Sequence, residues 1–130
     1  MAIYSKEVAN KALRVLQNAN RVDAEKLRQA HAETAGDTGG LLELLIRNDG
    51  IDEGLLHTVL SRSYALRRCH LEAKLVDVRA LPLLANDFID ANYVIPFAID
   101  GRFLRIAIVD PSTAAMAGQL KAATNFNIEF

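Results

Sequence analysis

Cysteine is nearly absent from this 130-residue chain. Cys69 stands alone, so no internal disulfide can form, and the composition fits a reducing compartment. A dominant charge is missing too. Fifteen Lys and Arg face sixteen Asp and Glu, a formal net charge of −1 that offers no electrostatic attraction to nucleic acid or anionic membrane. No apolar run approaches the roughly 20 residues that span a bilayer. Met1 to Lys6 lead into a mixed charged helix rather than an apolar signal segment. Soluble and cytoplasmic is therefore the default expectation.

Catalytic constellations are lacking as well. No G-x-x-x-x-G-K-[ST] phosphate loop occurs, and Gly36, Gly39 and Gly40 lack the lysine and hydroxyl residue that would hold ATP that way. His31, His57 and His70 have no ligand spacing among themselves, and Cys69-His70 has no second cluster to complete a tetrahedral metal site. A Cys/His nucleophile pair needs a third, orienting group, and adjacent residues point apart. Asp77, Asp87 and Asp90 read as capping and solvated acids. No catalytic, cofactor-binding or metal residue is assigned. Arg62, Arg67 and Arg68 form the one local basic cluster. It reads as a solvated helix end, with an anion or acidic partner as the alternative.

What the chain does have is 51% hydrophobic residues, enough for a core, and a faint internal repeat. Residues 11–34 and 40–63 overlay without a gap at a shift of 29. Leu13, Leu16, Asp23 and Leu27 fall on Leu42, Leu45, Asp52 and Leu56. Each copy reads as an apolar helix, a polar break, an Asp and a second helix. That pattern predicts two stacked helical hairpins sharing a core. Val8, Ala12, Val15, Leu16 and Ala19 lie on one helical face. Asp23 and Asp52 are predicted N-caps, and Gly36 to Gly40 a helix break. Asn48-Asp49-Gly50 should end the third helix by left-handed capping. His31 replaces an apolar residue of the repeat, Leu60 in the second copy, which predicts a partly buried histidine.

The character changes after about Arg68. Leu71 to Val78 reads as a short strand, and Leu81 to Asn92 as a short helix with Phe88 and Ile89 inward. Val94–Ile99 and Phe103–Val109 read as strands around an Asp100-Gly101 hairpin turn. Asp110-Pro111 starts a helix with Ala114, Ala117, Leu120 and Ala123 inward. Asn125 ends it, and Phe126 to Phe130 reads as a further strand, which suggests a segment of a longer polypeptide. The expectation is an α+β fold: four short helices over 1–68, then a small α+β unit over 69–130 with a three- to four-stranded sheet and roughly β-α-β-β-α-β order.

In this order the two halves resemble the N-terminal domain of type II secretion and type IV pilus assembly ATPases. The resemblance rests on Leu81-Pro82, Tyr93-Val94-Ile95-Pro96, Leu104 to Pro111, and Ala123-Thr124-Asn125, which follow that family's Leu-Pro, Tyr, Pro, Asp-Pro and Thr-Gly pattern. It implies a non-catalytic adaptor or regulatory domain that docks a motor ATPase on an inner-membrane platform protein. The motor would lie further along the same chain, the location would be peripheral to the inner membrane through partners, and no cofactor would be held. The alternative is a cyclic di-GMP receptor domain. In the relatives that bind this ligand, each hairpin resembles R-L-G-x-x-L-x-x-x-G followed by L-x-x-x-L-x-x-Q. Here the Arg positions hold Lys11 and Gly40, and the first Gly positions Leu13 and Leu42. The second Gly positions hold Asn20 and Asp49, and the Gln positions Thr34 and Ser63. A leucine where backbone must approach the ligand blocks that approach, and losing Arg removes a bidentate anion contact. On these grounds cyclic di-GMP is not expected as a ligand, and exposed Phe97 or Phe103 are candidates for the partner-facing surface.

Overall fold

The computed structural model describes residues 3–34 and 38–130. The chain divides into two compact units, Met1–Arg68 and Cys69–Phe130, each with its own apolar core.

The first unit holds four helices: α1 (Lys6–Asn18), α2 (Ala24–Thr34), α3 (Thr38–Arg47) and α4 (Glu53–Tyr64). The Ser5 hydroxyl caps α1 by accepting from the Val8 amide. Helix α1 packs against both α3 and α4. Its buried arc is therefore broad, running over Val8, Ala9, Ala12, Leu13 and Leu16. Val15, expected inside, falls at the margin of that arc and is 40% exposed. Ala19 lies past the helix as its exposed C-cap. Helix α2 packs chiefly against α3 and buries only Ala30. That narrow contact leaves His31 exposed, not partly buried as the repeat predicted.

The 29-residue shift reappears as recurring hydrogen bonds. Asn20 and Asp49 take left-handed φ values of 56° and 61°. After each, the chain closes back on its helix: the Arg21 amide donates to the Leu16 carbonyl at 2.9 Å, and the Gly50 amide to Leu45 at 2.8 Å. The Asn20 and Asp49 amides donate to the Gln17 and Ile46 carbonyls. This is the double closure that ends helices at a left-handed residue. Asp23 and Asp52 then cap α2 and α4, accepting from the Lys26 and Gly54 amides respectively. Leu16, Leu45 and Leu56 are buried, while Leu27 packs at the edge of the same core. Helix α3 begins at Thr38, so Thr38, Gly39 and Gly40 belong to a helix rather than to the expected break. Gly36 and Asp37 lie outside the described residues.

In the second unit, residues 71–78 form no strand. Leu75 and Val78 face solvent, and the segment carries a single 3-10 turn at Ala73–Leu75. Its one bond to the sheet is the Asp77 amide donating to the Phe97 carbonyl at 2.8 Å. A 3-10 turn at Leu81–Leu83 leads into α5 (Asn86–Asn92), which packs Phe88 and Ile89 on the core. Strands β1 (Val94–Asp100) and β2 (Phe103–Ile108) pair antiparallel, with an irregularity between Pro96 and Ala98. Pro96 sits on the edge strand, where a missing ladder donor is tolerated. Asp100 pairs with Phe103, so the hairpin loop is Gly101-Arg102, one residue later than predicted. Only Gly101 there has positive φ, +59°. After β2 the Asp110 carboxylate caps a 3-10 turn (Pro111–Met116) by accepting from the Ser112 amide at 2.9 Å. Helix α6 (Ala117–Thr124) follows and buries Leu120 and Thr124, leaving Ala123 exposed. Asn125 takes φ 61° where the family pattern has glycine, and β3 (Asn127–Glu129) pairs parallel with β2. The result is an α+β fold whose sheet has order β1-β2-β3 among the described residues.

Two substitutions test this packing. Leu45→Ala should cost about 2–5 kcal/mol in denaturant unfolding, since Leu45 is fully buried. Gly50→Ala should also destabilise, by about 1–3 kcal/mol. A Cβ there would meet Leu45 Cδ2 at 2.7 Å, Asn48 Oδ1 at 3.0 Å and Lys26 Cβ at 3.3 Å. Unchanged stability in either variant would contradict the hairpin joint described above.

Candidate functional site

The residues at the ligand-motif positions separate into four groups. Leu13 and Leu42 are buried core residues, 7% and 0% exposed, so their side chains occupy the space that glycine would leave open. Asn20 and Asp49 hold left-handed backbone, so the turn that glycine normally favours is retained with a side chain added. Lys11 points along the helical surface. Its Nζ lies 4.6 Å from the Tyr64 ring centroid and 3.5 Å from the Ser63 carbonyl. The Thr34 hydroxyl donates to the Ala30 carbonyl of its own helix at 2.9 Å.

The other singled-out residues do not converge. Cys69 and His70 are exposed. His57 is spaced i,i+4 from Glu53 on α4, at 4.0 Å. Among the described residues, no group of three or more His, Cys, Asp or Glu could hold a metal ion. Asp87 and Asp90 are exposed on α5. Asp77 instead grips Arg79: its carboxylate accepts from the Arg79 amide at 2.9 Å, from Nε at 3.2 Å and from Nη2 at 2.9 Å. These hydrogen bonds and the guanidinium charge hold the Asp77 carboxyl below the usual aspartate range.

On the sheet, Phe103 is 46% exposed and Phe97 half-buried. Arg105 lies between Asp100 (3.0 Å) and Glu129 (3.5 Å), bridging all three strands. On the helical unit, Arg62, Arg67 and Arg68 are all exposed. The sequence marks their charge but not their placement. Arg68 turns back on α4, its Nη1 donating to the Thr58 hydroxyl at 3.1 Å. No helix among the described residues is long and apolar enough to cross a membrane.

Comparison with known proteins fixes the family. The MshEN domain model matches residues 64–130, just over half of the chain. The chain belongs to the MshEN domain family. The type IV pilus assembly ATPase PilB of Myxococcus xanthus (strain DK1622) is 26% identical over 115 residues. That match takes in 88% of this chain but 20% of PilB, so the chain spans about a fifth of the relative's length. Two solved structures share the fold. One is MshE with cdg, at TM-score 0.66 and 24% identity, covering 90% of this chain and 85% of that one. The other is the N-terminal domain of XpsE, at TM-score 0.59 and 19% identity, covering 94% and 84%. This MshEN domain is thus of the kind found at the N-terminus of secretion and pilus ATPases. One expectation needs correcting. The MshE structure contains cyclic di-GMP, which goes against excluding that ligand for a fold of this type.

The Asp77–Arg79 grip yields a testable pH dependence. A carboxyl depressed in the folded state contributes stability above its unfolded pKa and loses it as pH falls through the folded value. In an NMR titration Asp77 should titrate below free aspartate, and Arg79→Ala should move it upward, the backbone amide alone remaining to lower it. An Asp77 carboxyl unmoved by Arg79→Ala would contradict the geometry.

Proposed function

We propose that this MshEN domain is the non-catalytic adaptor of a longer type II secretion or type IV pilus assembly ATPase. It docks the motor on the cytoplasmic part of an inner-membrane platform protein and works in the cytoplasm, peripheral to that membrane. The observation that carries this reading is the extent of the PilB match: nearly all of this chain aligns with a fifth of a pilus ATPase. The sequence has no phosphate loop, and several of its acids cap turns or pair with bases, such as Asp52, Asp110 and Asp77. Recognition through surfaces is the chemistry left to such a unit. The test is capture of the platform protein's cytoplasmic part from the same gene cluster. Saturable binding supports the adaptor, and no binding by a folded domain counts against it.

A second reading, a cyclic di-GMP receptor, is favoured by the ligand in the MshE structure. Retained left-handed turns at Asn20 and Asp49 suit it, while buried Leu13 and Leu42 and the absent arginines do not. Isothermal titration at about 100 µM ligand separates the two, because even millimolar binding corresponds to only about −4 kcal/mol. Saturable heat with a micromolar constant would make the domain a receptor, and a flat trace would leave the adaptor reading alone.

The isolated domain should release no phosphate from ATP, for want of a loop to cradle the phosphates and a carboxylate placed to hold magnesium. Turnover that survives repurification would overturn the non-catalytic assignment.

A further inference from the structure

The C-terminal half of α4 and the segment after it contain no acid. Between Glu53 and Glu72 the chain places Arg62, Arg67 and Arg68 with His57 and His70, and not one Asp or Glu. In a protein whose acids and bases otherwise balance, this is a segregated block of positive charge.

The fold brings Arg68 back to the helix face that carries Arg62, with Arg67 exposed next to it in the chain. Helix α4 stops at Ala65, which takes a left-handed φ of 53°, unusual for alanine. The Leu66 amide donates to the Ser61 carbonyl at 3.0 Å, and the Ser61 hydroxyl donates to the Leu66 carbonyl. These two bonds turn the chain back along the helix it has just left. Arg68 then reaches Thr58, whose own hydroxyl donates to the Gly54 carbonyl at 3.2 Å. Thr58 and Arg62 are four residues apart on one helical face, so Arg68 and Arg62 share that face. Lys11 of α1 adds its ammonium at Ser63, beside the same helix end.

Stability does not explain this arrangement. A cation in the last turn suits the helix dipole, which accounts for Arg62. Arg67 and Arg68 lie beyond the cap, and like charges held side by side repel. Among the described residues no carboxylate pairs with Arg62, Arg67, Arg68 or Lys11. Nor do the cations converge on one point. Thr58 and Ser63, which hold two of them, are separated by roughly 7.5 Å along the helix axis at 1.5 Å per residue. Cations spread along a helix, with Arg68 held in place by Thr58, suit a row of carboxylates on a protein surface better than a single small anion.

We propose that Arg62, Arg67 and Arg68 form the docking surface of this domain for an acidic segment of a protein partner. The proposal deepens the adaptor reading and rests on it for the kind of partner. The probe is a fluorescent 20-residue poly-glutamate peptide, with poly-glutamine as the neutral control. The test protein is the 130-residue chain, compared with Arg62→Glu/Arg67→Glu/Arg68→Glu and with Arg47→Glu/Arg102→Glu/Lys121→Glu. The second variant reverses three other exposed cations and carries the same net charge. Circular dichroism confirms that both variants fold.

Wild type should bind poly-glutamate in a salt-sensitive way. The arginine variant should lose about tenfold or more, and the control should stay within about threefold. Equal losses in both variants, or none in either, would overturn the proposal. So would binding to phosphatidylserine vesicles that exceeds peptide binding and needs the same arginines, since the surface would then serve a membrane. The platform protein is scored separately. Platform capture that the arginine variant leaves unchanged would overturn this surface while the adaptor stands. Patch-dependent peptide binding with no platform capture would keep the surface and end the adaptor reading.

Discussion

One backbone carbonyl joins the halves of the helical unit. Gly50 accepts from the Asp23 amide at 3.0 Å, linking the end of the second hairpin's first helix to the start of the first hairpin's second helix. The same glycine closes α3 through its own amide and leaves no room for a Cβ against Leu45. The repeat therefore does more than duplicate a motif. Each copy ends its first helix with a left-handed residue, and the end of α3 is bonded to the cap of α2. Leu16 and Leu45, whose carbonyls anchor those closures, both lie in the shared core.

That joint also bears on what the surface can do. Leu13 and Leu42 are built into the core of the helical unit. The turns at Asn20 and Asp49 take left-handed backbone and present polar side chains there. The chain belongs to the MshEN domain family, and the fold is shared with the solved structures of that kind. The residues of this chain decide which surface recognises what, and the cation-lined end of α4 carries a concentration of charge that its own fold does not neutralise.

Much of the fold was legible because it is written in local chemistry. Core leucines at a 29-residue shift, Asp before each second helix, Asp-Pro before the last helix and Asn125 after it all act over a few residues. The misreadings came from longer range. Val15 and His31 sit on apolar columns of their helices, but how much of a column is buried depends on how many neighbours the helix has. Leu71 to Val78 has strand composition, yet its backbone bonds to the sheet at the Asp77 amide and forms no ladder among the described residues. Asp100 looked like a turn residue and instead closes the ladder against Phe103, passing the turn to Gly101-Arg102. The arginine cluster was visible as charge only. Its reversal along α4 depends on a left-handed alanine, for which no sequence signal exists.

Hydrogen–deuterium exchange on the domain, with and without the cytoplasmic part of the platform protein, tests docking most directly. The account predicts slowed exchange over the end of α4 and the reversal after it, residues 57–68, when the partner is present. Protection confined to other residues, or exchange unchanged across the chain at saturating partner, would contradict it.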